Sequence, residues 1–168
     1  MRERSRDRDV YDQIVSGQQA ERLRSRTGRV VVRGKGNPWI LDRQGLVRHY
    51  LTPSRYTGEP VDTALDGWIV FVQEVGKHSG KHRHQGGLVI YVLEGEGHSI
   101  VDGERHDWEA EDVINVPIRS NGVTLQHFNL DRREPALLIC ADLNLADFLG
   151  LDRGSVFEQL EAAPLAAP

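Results

Sequence analysis

A single cysteine and a single methionine stand in this chain of 168 residues. One cysteine cannot close an internal disulfide, so the fold must rest on its core, and a reducing cytoplasm is the expected setting. Aromatic residues are scarce at 7%. No apolar run approaches the roughly 20 residues a membrane-spanning helix needs, so no membrane partner is expected. The opening stretch Met1 to Asp9 alternates arginine with acids and leads into no apolar segment, which is not the pattern of a secretory signal.

What is present is ordinary for one compact globular domain, with 39% hydrophobic and 27% charged residues. The charge is uneven. Residues 1 to 33 carry nine arginines against five acids, a local +4, so a net charge of −4 leaves −8 on the remainder. The arginines are interleaved with acids and have only Tyr11 as an aromatic companion, so a solvated helix or arm is expected and no nucleic-acid partner.

Val10 to Arg26 contains helix formers with apolar positions at Val10, Ile14, Val15 and Leu23, enough for a helix that covers a barrel end or a partner subunit. Gly34 to Pro38 and Thr57 to Pro60 then bracket two short strand patterns, Trp39 to Leu41 and Leu46 to Leu51. From Trp68 onward strands follow closely: Trp68 to Val75, Leu88 to Glu94, His98 to Val101, Arg105 to Trp108, Val113 to Val116, Val123 to Asn129 and Ala136 to Leu143. Asp102-Gly103 fits a two-residue hairpin, and Glu94 to Gly97 and Asn121-Gly122 supply further turns. Many short strands with such turns predict an all-β sandwich or jelly roll. The chain divides into a charged helical arm over 1–33, one barrel over 34–150, and a short helix with a frayed tail over 151–168, the helix falling on Ser155 to Leu160.

The chemistry-bearing feature is His82-Arg83-His84. Histidines two apart on an extended backbone face the same way, and two such imidazoles can grip one metal ion. His127, in the strand Val123 to Asn129, is the third candidate if the sheet doubles back. Three neutral nitrogens with open positions suit catalysis better than structure. His78 is a spare candidate. His49, His98 and His106, taken singly, read as satisfied polar residues, and Cys140, inside the apolar run Ala136 to Ala141, as core.

The stretch from Gly76 to Asn129 resembles the cupin double motif: a glycine, five residues, His82-x-His84, the strand Tyr91-Val-Leu-Glu-Gly95, then Asp112-x4-Pro117 and His127 before an asparagine. The resemblance implies a double-stranded β-helix, here a single barrel. It also implies a metal site of His82, His84 and His127. The family's usual glutamate, four or five residues after the second histidine, is replaced by Leu88 and Val89. That departure is similar to the three-histidine cupins, the gentisate-type, diketone-cleaving and thiol dioxygenases. Cys140 lies beyond the second motif, which disfavours the thiol type.

The expected activity is an iron(II)-dependent dioxygenase acting with dioxygen on a small chelating substrate, aromatic or diketone-like; manganese, nickel or zinc could replace the iron. A divalent ion held by neutral ligands keeps its charge and favours an anionic chelator. The alternatives are a metal-dependent lyase or isomerase and a non-catalytic small-ligand binder. For a carboxylate or phenolate the expected contacts are Arg48, His49 or Tyr50 and Arg119, with Leu88 and Ile90 on the ligand face. Gln73 and Gln126 are the expected partners of the imidazole N–H groups, and a homodimer is the expected assembly.

Overall fold

The computed structural model describes residues 8–143 and 157–164. Helix α1, Arg8–Thr27, comes first, followed by strands β1 (Ile40–Asp42) and β2 (Gly45–Leu51), a single turn α2 (Ser54–Thr57), then β3 (Ile69–Val75), β4 (Lys81–His84) and β5 (Leu88–Glu94). The chain continues through β6 (Glu96–Val101), β7 (Glu104–Glu109), β8 (Val113–Asn115), β9 (Val123–Asn129), β10 (Ala136–Asp142) and β11 (Glu158–Glu161). Two antiparallel sheets result, a six-stranded one in the order β1-β2-β3-β10-β5-β8 and a five-stranded one in the order β11-β4-β9-β6-β7.

Side-chain alternation decides what fills the space between them. In β5, Leu88, Ile90 and Val92 are buried while Val89, Tyr91 and Leu93 face out; in β10, Ala136, Leu138 and Cys140 point inward. With Val75, Trp108, Val116, Val123 and Leu125 they make one contiguous core. Each large aliphatic chain so buried contributes about 1.5–3 kcal/mol. Burial also pushes the Cys140 thiol pKa up, which removes it as a nucleophile at neutral pH. The β6–β7 hairpin turns on Asp102 and Gly103, both with positive φ, as the dipeptide predicted.

The end of the chain differs from expectation. Where a short helix over 155–160 was predicted, Glu158–Glu161 is a strand paired with β4; residues 155 and 156 lie outside the described residues. Cross-strand pairing supplies backbone partners that a four-residue helix would lack. Among the described residues no helix is long and apolar enough to cross a membrane.

Candidate active site

Strand β4 carries the histidine pair and is flanked by β11 and β9. Its register with β9 sets His82 across from Leu125 and His84 across from Val123. The next inward position on β9 is His127, a diagonal neighbour of His82 and one step further from His84. Residues directly opposite in an antiparallel pair have Cβ atoms about 5 Å apart and diagonal ones about 7–8 Å. A leucine therefore occupies the position closest to the pair.

His82 and His127 are buried and His84 is half-buried, and all three are neutral. Burial, reinforced by His84 and His127, pushes His82 down to about 3. Burial pushes His84 down to about 4, and burial with the nearby His84 does the same to His127, to about 4. The His82 and His84 rings stack with centroids 5.0 Å apart, and Phe157 also stacks on His82 at 5.0 Å.

The neighbours of each ring fix where its one proton sits. His84 Nδ1 accepts the Gly86 backbone N–H at 2.7 Å, so its proton is on Nε2, and that nitrogen is buried with no partner. Gly86 has φ 84°, and an added Cβ there would strike the Pro117 carbonyl; the N–H reaches His84 because this residue is glycine. His127 Nδ1 lies 2.7 Å from Ser99 Oγ, which also accepts the Trp108 indole N–H at 2.9 Å. The Ser99 oxygen thus joins the indole and the His127 ring in one buried chain and fixes the orientation of the imidazole. His82 differs: its Nδ1 faces the Gly80 carbonyl at 3.4 Å and holds the proton, leaving Nε2 a lone pair.

Three histidine nitrogens around a metal require three convergent lone pairs. This arrangement presents an N–H rather than a lone pair at His84 Nε2, and among the described residues no group of three or more His, Cys, Asp or Glu side chains is gathered to hold an ion. The residues as placed do not fit such a centre; for His84 to ligate, its ring would have to turn over and give up Gly86.

The histidine pair opens onto a cavity of about 360 Å³ at the mouth of the barrel. His82, His84, Gln85, Gly86 and Phe157 form one wall; His49, Thr52, Tyr56, Ile69 and Phe71, with Leu88 and Asp142, form the rest. The lining is mainly apolar, as a small-molecule site requires. His49 packs on Phe71 with centroids 5.6 Å apart, and its Nδ1 is buried without a partner.

Of the substrate-binding candidates, only His49 lies in this wall. Alternation along β2 sends Arg48 to the opposite face, where its guanidinium sits 4.3 Å from the Trp39 ring. The pairing shifts register between His49 and Leu51, and Tyr50 in that irregularity packs its hydroxyl against Gly34. Arg119, on an exposed turn, pairs with Asp102 at 3.0 Å. Leu88 does line the cavity, while Ile90 is core. His78 sits against Phe128 with its Nδ1 at the Ser79 carbonyl. Gln126 donates to that same carbonyl and Gln73 to the Gln44 carbonyl, so neither holds a site imidazole. The residues that do, Gly86 and the Ser99–Trp108 pair, went unnoticed in the sequence. The mixed polarity of Ser99 and Trp108 on adjacent strands was the available signal.

Residues 69–141 match the cupin domain family. Among solved structures, the Streptomyces protein Pac13, described as a nucleoside dehydratase, aligns with a TM-score of 0.53 at 13% identity over 81% of this chain and 94% of that one. A Cupin 2 conserved barrel domain protein from Salinispora arenicola CNS-205 aligns with a TM-score of 0.50 at 19% identity over 73% and 95%. Likeness at these identities shows the fold alone. Comparison with curated proteins finds no match. The fold is that of a cupin, an all-β double-stranded barrel, carrying a histidine-lined pocket.

Proposed function

We propose that this cupin is an enzyme that polarises the oxygen of a small, largely apolar carbonyl compound, in the manner of a lyase or isomerase. The carrying observation is the Gly86 N–H held on His84 Nδ1, which leaves Nε2–H as a buried donor without a partner in the pocket wall. A neutral imidazole N–H in a water-poor site stabilises charge developing on a substrate oxygen. His82, held near 3, is too weak a base to remove a proton from carbon and serves as a hydrogen-bond acceptor that orients the substrate. Asp142 is the carboxylate in the cavity lining and is the candidate base. It would take a proton from the carbon beside the carbonyl, the C–H electrons moving onto the oxygen at His84; the enolate then either regains a proton elsewhere or expels a leaving group.

A second reading is favoured by the clustering of three neutral imidazoles close enough to depress one another. In it the His84 ring would turn over and release Gly86, so that His82, His84 and His127 would hold iron(II), or another divalent metal, and the enzyme would be a dioxygenase for a chelating phenol, hydroxy acid or diketone. The proposed setting for either chemistry is the cytoplasm, since Cys140 has no disulfide partner.

One screen separates the readings. Small enolisable carbonyl compounds, diketones and gentisate-like acids are offered with iron(II) or with chelator, and turnover and oxygen uptake are followed together. Turnover that persists with chelator and consumes no oxygen supports the first reading; iron-dependent oxygen uptake supports the second and overturns the first.

A further inference from the structure

Aromatic residues make up 7% of the chain, yet rings dominate the wall of the pocket. Six of the twelve residues that line it are Tyr56, Phe71, Phe157 and the imidazoles of His49, His82 and His84. Three of these form a run: Phe157 stacks on His82 at 5.0 Å with 20° between the planes, and His82 on His84 at 5.0 Å and 29°. Aromatic pairs gain from offset-stacked and edge-to-face geometry beyond the area they bury, so a ring entering this wall gains more than an aliphatic group of the same size. The cavity, at about 360 Å³, lies at the small end of the range for ligand pockets, which suits one ring rather than a fused system.

Phe157 immediately precedes β11 and is 55% exposed, so a ligand that fills the mouth of the barrel covers it. Its place is set by the strand that follows. Glu158 pairs with Arg83 and Gln159 with His82 across β11 and β4, and the Glu158 carboxylate meets the Arg83 guanidinium at 3.1 Å. Gln159 donates to the Lys81 carbonyl at 3.2 Å and accepts from Gln44 at 2.5 Å, while the Ala163 N–H reaches the Arg43 carbonyl at 2.9 Å. The segment is thus bonded to β4 on one side and to the β1–β2 turn on the other, and the Phe157 ring is held at the pocket by a fixed strand.

Resting on the carbonyl reading of the pocket, we infer that the substrate carries its carbonyl on a single aromatic ring and that Phe157 is the residue that selects it, covering the substrate ring while the oxygen ends at His84. Phe157 touches the ring and not the reacting atoms, so it acts on which substrate is bound. Removing its ring while keeping an apolar side chain should erase the preference for aromatic ligands and spare the binding of aliphatic ones.

Acetophenone and cyclohexyl methyl ketone share a skeleton and differ in the ring. Both are titrated into the ¹⁵N-labelled full chain, with the Gly86 and Leu88 amide signals reporting occupancy and the His84 ring nitrogens reporting the ketone oxygen. The wild type should bind acetophenone about two- to tenfold more tightly, Phe157→Leu should lose that preference, and Phe157→Tyr should keep it. Should Phe157→Leu fail to fold, the wild type decides, since the ring protons of bound acetophenone should give nuclear Overhauser contacts to the Phe157 ring. Equal binding of the two ketones by the wild type, a preference that survives Phe157→Leu, no contact with Phe157, or no binding of either ketone would overturn the inference. Loss of the preference in Phe157→Leu, with the His84 nitrogens unmoved by either ketone, would uphold the role of Phe157 and overturn the carbonyl reading.

Discussion

Leu125 stands directly across the β4–β9 ladder from His82, on the same inward face and buried to 1% exposure. It takes the position nearest the pair. Leu125→His would put a third imidazole there, but Gly86 still holds His84 Nδ1, so elemental analysis after zinc loading should find no more metal in the variant than in the wild type. One ion per chain in either protein would show that His84 turns over to ligate.

Ser99 and Trp108 hold His127 through a chain of two buried hydrogen bonds. Ser99→Ala strands both the indole N–H and His127 Nδ1, and leaving buried polar groups unpaired costs about 1–3 kcal/mol each. The melting temperature should fall by several degrees. Trp108→Phe on top of Ser99→Ala should cost less than the sum of the two single changes, because they share one network; strict additivity would sever the proposed link.

The depressed histidines make stability depend on pH. Each is neutral in the fold and gains a proton more readily in the unfolded chain, whose value is near 6.5. The unfolded state thus binds more protons between about 6.5 and the folded values of about 4 for His84 and His127 and about 3 for His82. Stability should be full above pH 6.5 and decline as pH falls through 4 toward 3. Denaturant midpoints across this range test it, and His84→Gln should flatten the decline; a midpoint that does not change between pH 7 and 4 would contradict the neutral state of all three.

His49 lines the pocket with its Nδ1 buried and unpartnered. His49→Leu preserves volume while removing its hydrogen bond to substrate. It should raise KM about two- to tenfold with little change in kcat, since one hydrogen bond to a neutral group is worth about 0.5–1.5 kcal/mol. A change confined to kcat would place His49 in the chemistry instead.

The barrel was legible because apolar runs of strand length, as in β5 and β10, are separated by turns that use Gly and Asn; the spacing of His82 and His84 likewise fixed their shared face. What the sequence could not reveal depended on register. Whether Leu125 or His127 stands next to His82 is a one-step question of pairing between strands 40 residues apart, and a motif names residues without naming their partners. Arg48 and Tyr50 were misplaced for the same reason: the phase of β2 and the irregularity beside Tyr50 decide which of three adjacent polar residues enters the pocket. Gln159 and Leu160 gave no strand pattern of their own and became a strand through pairing with β4.

The most direct test of the account is the protonation of the His84 ring, read from two-bond proton–nitrogen correlations of the ¹⁵N-labelled protein at pH 7, before and after addition of one equivalent of zinc. The arrangement predicts an unprotonated Nδ1 and a protonated Nε2 for His84, with both nitrogen shifts unmoved by the metal. A protonated Nδ1, with Nε2 shifting stoichiometrically on zinc addition, would contradict it and restore the three-histidine centre.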